Sequence, residues 1–253
     1  MQMKKILEFK DVKFFYQTKD SEVEALKNIS FSLDENSFTS LVGPSGCGKT
    51  TILSLTAGLL TPSSGEILLD GKPIEKHDSR IGYMFQRDHL FEWRSIWQNI
   101  TLGLELKGLE KDEKKVALAE ELLKKYDLYN FKNKKPRQLS GGMRQRVALI
   151  RTLVLEPSLL LLDEPFSALD FQTRLKVCDD VYNIIKSEQK TALLVTHDIS
   201  EALSMSDHIV ILSKRPATVK EEVKIDFSGE TPLHKREDKS FGSYFEKIWR
   251  SLV

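Results

Sequence analysis

The sequence contains 253 residues, with 38 basic and 37 acidic side chains that leave a formal net charge of +1. This balance offers no general electrostatic attraction to polyanions, so we expect no nucleic-acid partner. Hydrophobic residues make up 40% of the chain and charged residues 30%, which is typical of a soluble globular protein with a sizeable core. The two cysteines, Cys47 and Cys178, form no CxxC pair, which indicates a reducing compartment without a disulfide framework.

Charged residues from Lys4 onward occur too early for the apolar stretch of a signal peptide. Apolar runs such as residues 159–162 are far shorter than the roughly 18 residues that a membrane-spanning helix needs. We therefore expect a cytoplasmic chain that reaches a membrane only through a partner.

The first 86 residues predict mainly short strands. The predicted strands are 6–11, 29–33, 38–42, 66–69 with a return strand, and 80–86. The dipeptide Asp70-Gly71 lies between the fourth strand and its return strand, and it is a typical hairpin turn.

The pattern becomes helical from about residue 97 to residue 139. It is clearest over 111–126, where apolar residues recur on one face and lysines and glutamates occupy the other. We interpret the charged face as solvent-exposed. A further helix is predicted over 141–155, with Ser140 as its N-cap and Pro157 beyond its end. Residues 87–155 therefore look like a helical subdomain inserted into a core formed by residues 1–86 and 156–215.

Strands and helices alternate after residue 156, which predicts a parallel sheet covered by helices. The predicted elements are strand 159–162, helix 171–187, strand 191–195, helix 199–204 and strand 208–212. Residues 216–253 complete a single domain of 1–253 with a strand at 219–227 and an amphipathic helix. The apolar face of that helix carries Phe241, Phe245, Ile248 and Leu252.

Residues 43–50 match the phosphate-binding pattern GxxxxGK[ST], and they lie between a predicted strand and a predicted helix. Glycines let backbone N–H groups turn toward phosphates, and the helix N-terminus adds its positive end. Lys49 is expected to reach the β- and γ-phosphates and Thr50 to bind Mg²⁺, so we predict ATP and Mg²⁺ as ligands. A glycine turn with an incidental lysine would not explain the strand–loop–helix context. The predicted ATP-binding residues of this loop are Gly43, Pro44, Ser45, Gly46, Cys47, Gly48, Lys49, Thr50 and Thr51.

Cys47 lies among the backbone amides of this loop, a setting that lowers a thiol pKa. We therefore expect alkylation of Cys47 to block ATP binding and ATP to protect the thiol.

Two carboxylates follow the apolar run 159–162, at the end of a predicted buried strand where sheet ligands bind. Asp163 fits a role in holding Mg²⁺, and Glu164 is positioned to polarise the attacking water as general base. Carboxylates that end a strand are common, but the upstream phosphate loop favours the functional interpretation.

Residues 139–145, Leu-Ser-Gly-Gly-Met-Arg-Gln, open a helix with a hydroxyl and two glycines. This arrangement is a second anion site as well as a helix cap. Two phosphate-type sites with one lysine suggest that the second site serves the nucleotide of another molecule.

Together these motifs closely resemble the ATP-binding subunit of ABC transporters, in the family's order and approximate spacing over residues 4 to about 215. Residues 167–170 resemble its D-loop, Gln86 its Q-loop glutamine and His197 its switch histidine. The resemblance implies an α/β P-loop NTPase core with a mostly parallel sheet, an amino-terminal antiparallel β subdomain and an inserted helical signature subdomain. It also implies ATP hydrolysis.

The resemblance further implies a head-to-tail dimer with a second copy of the chain. Each ATP would lie between the P-loop of one copy and the signature residues of the other, which are Ser140, Gly141, Gly142 and Gln145. His197 would contact the γ-phosphate. Gln86 would bind Mg²⁺ and take part in catalysis. Tyr16 would stack on adenine, with Phe14 and Phe15 as competing candidates.

Residues 90–96 resemble a segment of the nitrate/sulfonate/taurine importer group, although Glu92 stands where proline is usual. This resemblance implies separate transmembrane permease subunits, indirectly a solute-binding protein, and a peripheral location at the cytoplasmic face of the cell membrane. The aromatic residues of the segment are equally compatible with the core of the helical subdomain. The alternative is a non-transport ABC ATPase that acts on DNA or ribosomes, which the single P-loop and the near-neutral charge disfavour.

Overall fold

The computed structural model describes residues 4–17 and 21–252, so the ends of the predicted 1–253 domain lie outside the described residues. Its first elements are β1 (Lys5–Gln17), β2 (Glu22–Asp34), β3 (Phe38–Val42), α1 (Lys49–Thr56), β4 (Ser64–Leu69), β5 (Lys72–Pro73), β6 (Ile81–Met84), α2 (Ile96–Ile100), α3 (Leu102–Leu106) and α4 (Glu113–Lys125). The elements that follow are α5 (Gly141–Leu153), β7 (Leu159–Asp163), α6 (Phe171–Ser187), β8 (Thr191–Val195), α7 (Ile199–Met205), β9 (His208–Leu212), β10 (Val219–Lys224), α8 (Pro232–Lys235) and α9 (Phe241–Leu252).

The central sheet has the strand order β10-β9-β3-β8-β7-β6. Strands β9, β3, β8, β7 and β6 run parallel, and β10 joins the edge in the antiparallel direction. Residues 159–162 are fully buried because helices cover one face of the sheet, while helix α1 and the antiparallel sheet cover the other. The predicted α/β architecture with a mostly parallel sheet is confirmed.

A second, antiparallel sheet has the order β2-β1-β4-β5. Strands β1 and β2 extend well beyond the predicted ranges 6–11 and 29–33. The sequence pattern ended early because bulges interrupt the alternation, with Asp11 and Asn28 both at φ 48°. Gly65 is required opposite the first bulge, since a Cβ there would lie 2.4 Å from the carbonyl oxygen of Asp11.

The region between β6 and β7 is helical but not one continuous pattern. It consists of α2 to α5 with two 3₁₀ turns, Tyr129–Phe131 and Pro136–Gln138. Gly108, at φ +65°, follows α3, and Asp112 then caps α4 by accepting hydrogen bonds from the backbone N–H groups of Lys114 and Lys115. These helices bury one shared core with α6, which fixes the position of α5 against the central sheet.

The carboxyl-terminal part lies over β9 and α7. Strand β10 ends at Lys224, three residues before the predicted end at 227. Ile248 of α9 is buried in the cluster that contains Ile199, Leu203 and Ile211, and Phe241, Phe245 and Leu252 pack against that cluster. The amphipathic pattern therefore placed the correct face of α9 inward.

Candidate nucleotide-binding site

The predicted phosphate loop connects β3 to α1. Its backbone requires glycine at two positions, since Gly46 and Gly48 have φ of +72° and +127°. The N-terminus of α1 has no side-chain cap, so its first N–H groups remain available to an anion. The Lys49 Nζ donates to the carbonyl oxygens of Gly43 at 2.7 Å and Pro44 at 3.1 Å, which holds the ammonium against the loop.

Three loops meet at the carboxyl ends of neighbouring strands, as expected for a parallel sheet. The phosphate loop follows β3, Glu164 follows β7 and His197 follows β8. The residues that line the resulting cleft of about 560 Å³ are Ser45, Gly46, Gly48, Lys49, Thr50, Thr51, Glu164 and His197. The structure thus brings together these predicted residues from distant parts of the chain.

Glu164 is held in an uncommon backbone conformation, with φ 43°. Its N–H donates to the carbonyl oxygen of Val195 at 2.9 Å, which ties the turn to β8. Its carboxylate Oε2 lies 3.1 Å from the Nδ1 of His197. The turn therefore directs the carboxylate of Glu164 into the cleft beside His197.

Asp163 is the last residue of β7 and is half-buried. Burial raises the pKa of its carboxyl, while a hydrogen bond from the Tyr83 hydroxyl at 3.0 Å lowers it. Burial, together with this carboxylate, raises the pKa of Tyr83. Sequence reasoning missed Tyr83, although its place on the strand before Gln86 was the available indication.

Gln86 lies near the same edge of the sheet. Its Nε2 donates to the Ser167 hydroxyl at 3.2 Å, and the Ser167 hydroxyl donates to the carbonyl oxygen of Glu164 at 2.9 Å. The Gln86 amide oxygen, the Thr50 hydroxyl and the Asp163 carboxylate are hard oxygen donors of the kind that Mg²⁺ prefers. The predicted ligands therefore supply the type of donor atom that Mg²⁺ requires.

Tyr16 is the aromatic residue at the end of β1 that contacts the phosphate loop helix. Its hydroxyl lies 3.0 Å from the Thr51 Oγ1, and its ring is partly exposed. Phe14 is buried and packs edge-on against Tyr16. Of these two aromatic residues, Tyr16 is the one with an exposed ring beside the loop, so its stacking on adenine stays a prediction.

Cys47 contradicts the expectation of a reactive thiol. Its side chain is 1% exposed and faces the core beneath the loop, where a Cβ on Gly43 would lie 2.8 Å from its sulfur. Burial raises the pKa of the thiol and outweighs the lowering effect of the Lys49 charge. The loop turns this side chain inward, so Cys47 contributes its backbone to the loop.

The signature residues form a separate pocket. The Ser140 hydroxyl caps α5 by accepting from the N–H of Met143 at 3.3 Å, and Gly142 is required because a Cβ would lie 2.8 Å from Val177. The pocket contains Ser140, Gly141 and Gly142 and shares no lining residue with the P-loop cleft. Gln145 does not join it, since its side chain is only 3% exposed inside the helical core. The prediction that Gln145 faces a partner's ATP is therefore wrong for its side chain in this structure.

Comparison with known proteins agrees with this arrangement. The family described as ABC transporter matches residues 26–167, which is more than half of the chain. The chain belongs to the ABC transporter family.

Full-length relatives give the same result for this ABC protein. It is 47% identical over 230 residues to the uncharacterized ABC transporter ATP-binding protein YtlC of Bacillus subtilis, covering 90% of this chain and 88% of that protein. It is 38% identical over 248 residues to the nitrate import ATP-binding protein NrtD of Synechocystis sp., covering 96% and 93%. It is 41% identical over 206 residues to the taurine import ATP-binding protein TauB of Roseobacter denitrificans, covering 81% and 76%.

A solved structure supports the same conclusion. The dimeric ATP-binding cassette MJ0796 bound to ADP and Pi matches with a TM-score of 0.71 and 33% identity, over 87% of this chain and 99% of that chain. The resemblance that the motifs indicated is confirmed, and this chain is an ATP-binding subunit and an ATP hydrolase of the ABC type. Within residues 4–17 and 21–252 we find no helix that is both long enough and apolar enough to span a membrane.

This ABC ATPase exposes aromatic side chains beside Gln86. Phe85 and Phe91 are partly exposed, and Trp93 is 71% exposed with its ring 4.8 Å from that of Phe91. Leu90 and Ile96 are instead buried in the helical core. The segment therefore divides into two buried aliphatic anchors and an exposed aromatic patch, rather than serving as core throughout.

The buried position of Cys47 generates a revised prediction. Iodoacetamide should modify neither Cys47 nor Cys178 at an appreciable rate in the folded protein, because both thiols are buried and their pKa values are raised. Mass spectrometry of the folded and urea-unfolded protein measures this, with full modification expected after unfolding. Rapid alkylation of folded Cys47 that ATP prevents would restore the original expectation.

The raised pKa of Asp163 generates a second prediction. A carboxyl whose folded pKa lies above its unfolded pKa reduces stability as pH rises through that interval, so ionised Asp163 costs stability at neutral pH. Asp163→Asn should raise the melting temperature of the nucleotide-free protein at neutral pH and weaken Mg²⁺-dependent ATP binding. The stability gain should shrink as pH approaches the ordinary Asp pKa of about 3.9.

Thermal denaturation across this pH range and ATP titration with and without Mg²⁺ are the measurements. The exposed carboxylate Glu110 supplies a control, since Glu110→Gln should change neither property. A less stable Asp163→Asn protein at neutral pH would contradict the argument.

Proposed function

We propose that this ABC ATPase dimerises head to tail around ATP and powers the import of a small solute through separate membrane-spanning subunits. The observation that carries the proposal is the separation of the P-loop cleft from the signature pocket within one chain. Each pocket has anion-binding backbone groups, but only the P-loop cleft contains Lys49 and the Glu164–His197 pair. A second copy of the chain supplies the missing half of each site.

The cleft residues divide the work of hydrolysis. Lys49 and the loop amides bind the β- and γ-phosphates, and Thr50, Asp163 and Gln86 hold Mg²⁺. Mg²⁺, when bound, neutralises charge on the phosphate oxygens. The Glu164 carboxylate takes the proton of the attacking water as the bond to the γ-phosphorus forms and the bond to ADP breaks.

His197 and Tyr16 position the nucleotide at its two ends. The Nδ1 of His197 contacts the Glu164 carboxylate, which leaves its other ring nitrogen to meet the γ-phosphate. Tyr16 stacks on adenine while its hydroxyl stays with Thr51. Across the dimer interface, Ser140, Gly141 and Gly142 of the second copy close over the same ATP with the N-terminus of α5.

The exposed rings of Phe91 and Trp93, with Phe85 exposed earlier in the same loop, are proposed to receive a segment of the permease. Exposed aromatic clusters of this kind mark protein interaction sites. Phe85 is the neighbour of Gln86 in the chain. One loop would therefore carry both the glutamine that contacts the nucleotide site and the aromatic residues that contact the permease. Docking there would hold the chain at the cytoplasmic face of the cell membrane, with a solute-binding protein acting indirectly through the permease.

The substrate class follows from the relatives named for nitrate import and taurine import, which match most of this chain. We propose a small solute of the nitrate, sulfonate or taurine type. These import relatives favour transport over the alternative of a non-transport ATPase acting on DNA or ribosomes.

Glu164→Gln tests the catalytic assignment. The amide keeps the shape of the side chain but accepts no proton, so ATP turnover should fall by about 10²–10⁴-fold while ATP binding persists. A dimer should then accumulate with ATP but not with ADP in size-exclusion chromatography. Glu230→Gln, at an exposed carboxylate outside the cleft, is the matched control. Normal turnover by Glu164→Gln would contradict the base assignment.

Trp93→Ala tests the docking surface. Removal of the exposed ring should abolish transport in vesicles that contain the permease subunits, because burial of a tryptophan contributes about 2 kcal/mol or more to such an interface. ATPase activity of the isolated subunit should persist. Trp249→Ala removes a comparably exposed tryptophan on α9 and should leave transport intact. Unchanged transport by Trp93→Ala would exclude Trp93 from coupling.

A further inference from the structure

The loop of residues 85–95 connects Gln86 at the nucleotide cleft to Trp93 at the exposed patch. It lies between β6, in the central sheet, and α2, in the helical region. The contacts of this loop determine whether it moves with the central sheet or with the helical region when one of them shifts relative to the other.

Two arginines of α5 hold the near part of the loop. The Arg151 guanidinium donates to the carbonyl oxygens of Asp88 and His89, both at 2.8 Å. The Arg144 Nε lies 3.0 Å from the Asp88 carboxylate. Arg144 and Arg151 are two helical turns apart, so their side chains leave the same face of α5. His89 adopts φ 44° at this turn, and the two carbonyl groups on either side of that bond both accept from Arg151.

The Arg151 guanidinium is held in its contact with the loop carbonyl groups. Burial lowers the pKa of its guanidinium, and the charge of Asp88 opposes that shift. Charge-assisted hydrogen bonds from a partly buried guanidinium are among the stronger polar contacts in proteins. Their loss would leave a partly buried cation without these acceptors.

Asn99 of α2 holds the far part of the loop. This side chain is fully buried, and it accepts from the N–H of Phe91 at 2.7 Å and donates to the carbonyl oxygens of Phe91 and Ser95. Lys135, also in the helical region, donates to the carbonyl oxygen of Trp93 at 2.6 Å. The far half of the loop, residues 91–95, is therefore hydrogen-bonded to the helical region, as is the near half at Asp88 and His89.

The attachment of the Gln86 side chain to the core is weak by comparison. It consists of one exposed hydrogen bond from Gln86 to the Ser167 hydroxyl at 3.2 Å. An exposed neutral hydrogen bond exchanges readily with water. The loop is thus bonded to α5 and α2 through groups that are buried or charged. The Gln86 side chain is bonded to the core through a single hydrogen bond between groups that are neither buried nor charged.

We propose that Arg144 and Arg151 are positioning residues that join α5 to the 85–95 loop as one moving unit. Engagement of a partner's ATP by Ser140 at the start of α5 would then move Gln86 and Trp93 together. The inference rests on the proposed head-to-tail dimer. In that dimer the signature and the Gln86 of one chain serve different ATP molecules. The arginines therefore link the two ATP sites to each other and to the patch.

The test compares the movement of the loop with the movement of the helical region. Spin labels on Arg87→Cys and Lys72→Cys report the distance from the near part of the loop to the antiparallel sheet, and labels on Lys114→Cys and Lys72→Cys report the helical region. All three positions are exposed, and the native thiols Cys47 and Cys178 are buried. The Glu164→Gln background with excess unlabelled protein gives dimers with one labelled chain each.

Electron paramagnetic resonance distances are measured with and without ATP. In the reference protein, both distances should change together when the dimer forms. In the Asp88→Asn/Arg151→Lys double variant, the helical-region distance should still change, while the loop distance should lose its change. Asp88→Asn alone should reduce the ATP-dependent change in the loop distance by a smaller amount. Because this side chain is partly exposed, the single variant replaces the double variant in the test if the double variant does not fold.

Glu188→Gln is the matched control. It removes the carboxylate partner of Lys125, a cation of α4, without touching the loop or the signature pocket. Both distances should respond to ATP as in the reference. A loop distance that changes fully in Asp88→Asn/Arg151→Lys, or a reference dimer in which neither distance changes, would overturn the inference. Failure of the reference protein to dimerise with ATP would overturn the proposed function itself.

Discussion

The parallel pairing of β3, β8 and β7 is the constraint on which the nucleotide site depends. Their carboxyl ends meet at one edge and deliver Lys49, His197 and Glu164 to the same cleft. Apart from Asp163, the residues of these strands are buried, so their register is strongly fixed by packing. Glu164 depends directly on this register, because its N–H bonds to the carbonyl oxygen of Val195 on the neighbouring strand.

The same edge of the sheet holds two ionisable side chains in partly or fully buried positions, which most folds avoid. Asp163 is half-buried with a raised pKa, and Lys49 is bent back onto carbonyl oxygens of its own loop. Such groups are unfavourable for stability unless a ligand of complementary charge relieves them. The triphosphate of ATP and the proposed Mg²⁺ would be complementary in this sense, so the unfavourable free energy of these groups in the free protein would favour binding.

The helical region gives the molecule its second anion site at a distance from the first. Gly141 and Gly142 let the backbone come close to α6 and the 167–170 loop, and this packing fixes the N-terminus of α5 at the surface. The helix is packed along its length into the helical core, and its N-terminus lines a pocket that shares no residue with the P-loop cleft. The proposed association of two chains would bring these two pockets together.

The amino-acid sequence by itself determined the motifs and their order. The P-loop, the two carboxylates at the end of β7, the signature turn and the alternation of strands and helices are local patterns, and each was found at the predicted place. Their chemistry is set by backbone conformation over a few residues, which sequence alone specifies. The role of each site residue in ATP hydrolysis stays a prediction.

Only the tertiary structure decided which way several side chains point and what they meet. Cys47 faces the core and Gln145 the helical interior, Tyr83 meets Asp163, and β1 continues beyond its bulge. Each of these outcomes depends on residues tens of positions away that fill or supply the surrounding space. A local pattern contains no information about such neighbours, so burial, pKa direction and long-range contact had to come from the fold.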